Sequence, residues 1–253
     1  MSSFAVSVLV TACVFTAGIV GLNLHRVLPE THLTKDTQDV IRLGTGMVSV
    51  LASLVLGLLI ATAKNSFDTT DHSIRAYGAE IALLNETLRD YGSGASGPRD
   101  LLRQYTQQLL RNLWPPAGEL PSEIESDKAG ILLEHAREGI RDLRPVDDGQ
   151  KWLLEQALDI STSLLRQRWL LIEQSGPGIH SLVLVILVTW IVAIFVSFGL
   201  NAPQNGTVVV AFLVCSMAIG GSIFLILEMD RPLTGVIRVS SWPVENVLTQ
   251  MSW

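Results

Sequence analysis

Leu43-Gly-Thr-Gly-Met-Val-Ser-Val-Leu-Ala-Ser-Leu-Val-Leu-Gly-Leu-Leu-Ile-Ala-Thr-Ala63 carries no charge. Its length is what an α-helix needs to cross the ~30 Å hydrocarbon core of a bilayer. Working outward, three further apolar runs have the same character: Phe4–Leu22, Ile179–Leu200 and Thr207–Leu227. Lipid offers the backbone no hydrogen-bond partners, so such runs cross as helices. They form two pairs around a polar middle. The chain therefore reads as all-α, with four transmembrane helices, two plus two, and a helical cytoplasmic domain inserted between the second and third. The boundaries are 1–63 for the first pair, 64–178 for the inserted domain, 179–228 for the second pair and 229–253 for a cytoplasmic tail.

Composition agrees with residence in a bilayer, the chain's implied partner. Hydrophobic residues make up 48% and charged residues 17%, and mean hydropathy is +0.38. A net charge of -6 supplies no basic field of the kind that binds nucleic acid. Cys13 and Cys215 both fall inside apolar runs and read as buried small hydrophobes. Lys64, Arg75, Arg166, Arg168, Arg231 and Arg238 flank the membrane on the side of the inserted domain, against Arg26, Lys35 and Arg42 on the other. That bias predicts a cytoplasmic domain and cytoplasmic termini.

Thr34 can cap a helix beginning at Lys35, with Asp36 suiting the helix dipole. No proline interrupts Lys35 to Tyr91, so the second crossing is expected to continue out of the membrane as one helix about 80 Å long. Gly92–Gly97 ends it, and Pro98 fits the first turn of the next helix, Arg99–Leu113. Further helices are predicted near Ser122–Leu143, with Ile124, Ile131, Leu132 and Ile140 apolar, and over Gln150–Gln174. In the last, Trp152, Leu153, Leu158, Leu164, Leu165, Trp169 and Leu170 form the apolar set.

Enzymatic signatures are missing: no His-Glu-x-x-His, no Cys-x-x-Cys, no phosphate-binding glycine loop and no nucleophile elbow. His25, His32, His72, His135 and His180 are scattered, without metal-ligand spacing. No catalytic residue, metal site or cofactor is expected. Asp147-Asp148 lies in a turn, where Asp is favoured for backbone reasons.

Two segments break ordinary patterns. In the second crossing Gly46, Ser49, Ser53 and Gly57 recur at three- and four-residue steps, which permits close helix approach. After the fourth crossing, Glu228, Asp230 and Arg231 crowd against Pro232, and a short amphipathic stretch with Trp242 follows.

On Leu54-Val-Leu-Gly-Leu-Leu-Ile-Ala-Thr-Ala-Lys-Asn-Ser-Phe67 and Glu228-Met-Asp-Arg-Pro-Leu-Thr-Gly-Val-Ile-Arg-Val-Ser-Ser241, the chain resembles the bacterial bestrophin-like membrane proteins over nearly its whole length. That family is in turn similar to the bestrophin anion channels. The further likeness rests on the two-plus-two order and on a basic-Asn-Ser turn, Lys64, Asn65 and Ser66, at the end of the second crossing. An acidic-x-x-x-Pro-hydrophobic-x-Gly pattern at Glu228, Pro232, Leu233 and Gly235 adds to it. The resemblance implies a homo-oligomer, a pentamer, in the bacterial inner membrane, passing small ions. Its pore would be lined by the second crossing, including Ser49 and Ser53. A constriction of three apolar residues at four-residue steps would fall on Val55, Leu59 and Ala63, with acidic Asp68 and Asp71 beneath it disfavouring anions. The implied function is an ion channel. The alternative is a non-conducting membrane-anchored interaction or sensory module acting through its cytoplasmic helices.

Overall fold

The computed structural model describes residues 2–24, 34–115, 127–174, 181–233 and 235–251. Its α-helices are α1 Ser3–Leu24, α2 Lys35–Tyr91, α3 Ser96–Leu113, α4 Asp127–Arg141, α5 Asp148–Gln174, α6 Ser181–Asn201, α7 Gly206–Met229 and α8 Trp242–Gln250. No strand occurs among the described residues. Helices α1, α2, α6 and α7 are long and apolar enough to cross a membrane. The chain divides into two compact units, Met1–Ser66 with Pro177–Asp230, and Phe67–Gly176 with Arg231–Trp253. Helix α2 belongs to both, and its 57 residues run without a break. Thr34 begins it as expected, with its hydroxyl accepting from the Thr37 amide at 3.4 Å.

In the first unit α1 packs on α6 and α7. Lipid gives helices no hydrophobic reason to associate, so their contact depends on close van der Waals fit. Glycines supply it. A Cβ on Gly21 would lie 2.3 Å from the Val196 carbonyl oxygen, and one on Gly199 would lie 2.4 Å from that of Gly18. Phe212 lies against Gly18 and against the Phe195 ring, with centroids 5.8 Å apart. Polar side chains fasten the seams: the Ser7 hydroxyl donates to the Gly220 carbonyl at 2.6 Å, and Gln204 Nε2 donates to that of Leu22 at 2.9 Å. Cys13 and Cys215 are exposed on this unit, not buried as expected. Hydropathy marks a residue as tolerable to lipid; it does not say whether lipid or protein covers it.

In the second unit α2 buries Ile74, Tyr77, Ile81, Leu84 and Leu88, alternating three- and four-residue steps that keep one face inward. Opposing residues are Leu102, Tyr105, Leu109 and Leu113 of α3, Ala129, Leu133 and Ile140 of α4, and Ala157, Ile160, Leu164 and Leu171 of α5. Each large side chain here contributes about 1.5–3 kcal/mol by burial. Ile131, Trp152, Trp169 and Leu170, expected inside, are exposed. The buried faces of α4 and α5 are built partly on alanines, so the bulkiest residues do not mark them. Asp147 caps α5, accepting from the Gln150 amide at 2.7 Å. Gly92 takes φ 102, a conformation that ends α2 and that side chains rarely adopt. Ile124 and most of the acidic patch Glu119–Asp127 lie outside the described residues, as do His25, His32 and His180.

The tail folds into the second unit. Val239, Val244, Val247 and Met251 join its core, and Trp114 Nε1 donates to the buried Val239 carbonyl at 2.9 Å. Pro243 packs over Gly78, where a Cβ would meet its carbonyl oxygen at 3.2 Å.

Candidate functional site

Helix α2 is the least covered of the four candidate spans: 17% of its most apolar window is buried, against 28–39% in the other three. What is covered is one stripe. Ala52, Leu59 and Ala63 are buried in a cluster with Leu187, Ile191 and Phe195 of α6, while Val48, Val55 and Leu56 pack at its edge. Thr45 and Ser197 share a hydrogen bond at 2.7 Å, and the Ser49 hydroxyl donates back to the Thr45 carbonyl at 2.8 Å. A side-chain hydroxyl inside a bilayer has few alternatives: the Thr45–Ser197 bond ties this stripe to α6, while the Ser49 bond stays within α2.

Of the expected constriction, Leu59 and Ala63 therefore sit in the protomer's own core, and Val55 is half-buried beside them. On the outer side Val50, Leu54 and Leu58 are 70%, 69% and 65% exposed. They too stand at four-residue steps, so they too line one face. Ser53 is exposed and Ser49 half-buried, and a Cβ on Gly46 or Gly57 would meet nothing within 4 Å. The outer trio has the same spacing as the expected one and differs from it in what covers it.

Lys64 and Asn65 are exposed and Ser66 is half-buried; all three lie within uninterrupted α-helix and form no turn, since no proline or glycine breaks α2 there. Glu228 and Asp230 are buried at the end of α7, at 4% and 8% exposure. Beyond them, in the second unit, Arg231 is exposed and Pro232 buried. The Pro232 carbonyl accepts from the Val239 amide at 2.9 Å, and Gly235, at φ 106, makes the reversal between them.

Asp71 is salt-bridged to Arg75 at 2.8 Å, one turn on, so its negative charge is locally offset. Deeper in the second unit the hydroxyls of Tyr77 and Tyr105 hydrogen-bond to each other. Burial pushes the Tyr105 hydroxyl up to about 12, with the bond to Tyr77 and the charge of Arg168 acting the other way. Among the described residues no three His, Cys, Asp or Glu are grouped to hold a metal ion.

Comparison with known proteins gives one family. The family model of the bestrophin-like domain matches residues 10–244. The fold is similar to that of a bestrophin homolog from Klebsiella pneumoniae, with TM-score 0.70 and 15% identity over 99% of this chain and 96% of that one. A second crystal structure of a homolog from the same organism gives TM-score 0.69 at 13% identity, covering 96% and 95% of the two chains. No curated protein matches the chain.

Proposed function

The chain belongs to the bestrophin-like family, and on that premise we propose that it is an oligomeric membrane ion channel whose pore is lined by α2. The observation that carries this reading is the outer face of α2, an apolar line left open along a span that its own unit barely covers. Copies set around an axis would turn that line inward. The reading takes Val50, Leu54 and Leu58 as the constriction, because Leu59 and Ala63 are buried in the first unit's core. A narrow ring of Val and Leu impedes ions by dewetting. The Asp71–Arg75 ion pair removes one objection to anions as the conducted species. We take the assembly to be a pentamer in the bacterial inner membrane, with both termini and the second unit cytoplasmic. Lys64-Asn65-Ser66 and the Glu228–Gly235 segment would lie on that side.

The test is bilayer recording from purified protein. Leu54→Ser and Leu58→Ser should raise conductance by wetting the ring, while Leu59→Ser should weaken the fold and leave unit conductance unchanged. Silence from correctly assembled wild-type and Leu54→Ser protein alike would sink the channel reading. The rival reading, a non-conducting interaction or sensory module, draws support from Trp152 and Trp169, 61% and 59% exposed on α5. Exposed tryptophans are common anchors at protein contacts.

A further inference from the structure

We infer that Asn65 is the residue that sets the charge preference of the conduction path. The inference rests on the channel reading above and deepens it. Asn65 follows Leu58 by seven residues, two helical turns, which returns it to within about 20° of the same line. It is exposed, so the line Val50, Leu54, Leu58 continues to it without passing under another helix. Between them stand Ala61 and Thr62, both exposed: Ala61 lies about 20° and Thr62 about 80° from the mean direction of the three apolar residues, so only the small Ala61 is on the line to Asn65.

An ion leaving an apolar ring has shed water and needs polar groups at once. The first ring of such groups acts in a low dielectric, where its field counts most. Other polar groups at this end of the first unit are less well placed. Lys64 projects about 100° away around the helix, and Ser66 is half-buried. The carboxylates of Glu228 and Asp230 are buried in the protomer, so neither faces the line. Asn65 offers both a carbonyl acceptor and an amide donor and carries no charge. A ring of such side chains can solvate either sign, so the native path is expected to discriminate weakly between anions and cations.

Replacing Asn65 tests this directly. Asn65→Asp should favour cations and Asn65→Lys anions, each changing the permeability ratio on the order of tenfold, read from reversal potentials under a salt gradient. Asn65→Gln should keep the native ratio, and Lys64→Gln should change it far less than either charged variant. Should a charged variant fail to assemble, Asn65→Cys in a background lacking Cys13 and Cys215 admits the charge afterwards, through anionic or cationic thiol reagents. Wild-type currents with unchanged ratios in both charged forms would overturn the assignment while leaving the channel intact. Absence of wild-type current would instead remove the reading on which it rests.

Discussion

Replacing Gly199 with alanine should loosen the α1–α6 seam more than any surface change of the same size. A methyl there would lie 2.4 Å from the Gly18 carbonyl oxygen, 2.7 Å from the Leu22 nitrogen and 2.8 Å from the Gly21 carbonyl carbon. All three are backbone atoms of α1, so no rotamer change relieves them. Ordinary contact begins near 3.4 Å, which leaves a shortfall of about 1 Å. Opening the seam that far forfeits a quarter to a half of each contact's dispersion energy along it. The cost belongs at the upper end of the overpacking range, about 3 kcal/mol, or a fall in melting temperature of roughly 6–12 °C by the scale for domains of this size. The assay is the loss of the monodisperse size-exclusion peak of detergent-solubilised protein after heating. Gly221→Ala is the control, since a Cβ there meets nothing within 4 Å. It should match wild type or gain slightly from helix propensity. If Gly199→Ala melted within about 2 °C of wild type, the glycine seam would not be as close as described, and the packing of α1 on α6 would need another explanation.

Two further outcomes concern the second unit. The Tyr105 hydroxyl holds its proton to about 12 when folded, against 10.0 for an ordinary tyrosine. Its contribution to stability is therefore complete below pH 10 and drains away as pH rises from 10 toward 12, by roughly 3 kcal/mol. Unfolding midpoints measured across that range should fall, and Tyr105→Phe should flatten part of the decline. Trp114→Phe deletes the donor to the Val239 carbonyl and leaves a buried acceptor unpaired, at a cost of about 1–3 kcal/mol. If that loss falls mainly on the tail, tryptic cleavage at Arg238 should quicken on the order of tenfold; an unchanged rate would mean the indole does not hold the tail.

Helix existence was legible because it depends on properties local to the sequence. Hydropathy marks α1, α2, α6 and α7, the lack of proline from Lys35 to Tyr91 marks the continuity of α2, and Gly92 marks its end. Observed and expected bounds of α3 and α5 differ by three residues at most, the range over which helix ends fray. What covers each face was far less legible. Trp152 and Trp169 are large and apolar, yet the inward face of α5 is set by Ala157, Ile160 and Leu164. Nor did the tail's sequence reveal that its four apolar residues complete the core of the second unit, because the groups they meet lie far away in the chain.

The constriction illustrates that limit most sharply. Val55, Leu59 and Ala63 and the trio Val50, Leu54 and Leu58 obey the same four-residue rule, and both consist of apolar residues. Helix geometry separates neighbouring residues by about 100°, so the two trios, five residues apart, stand about 140° apart around the helix, one on a covered face and one on an open one. In a soluble helix the apolar stripe would choose between them, since the other face would be polar. A membrane span gives no such contrast: lipid, protein core and a dewetting ring all accept Val and Leu. The hints that remain are polar. Thr45 lies toward α6, where Ser197 bonds it, and Asn65 lies on the open line beyond Leu58. A hydroxyl bonded across to α6 marks a face that packs, and on the proposed reading the carboxamide of Asn65 marks the face that meets water. On the proposed reading these two polar signals separate the candidate trios, which hydropathy alone leaves equivalent.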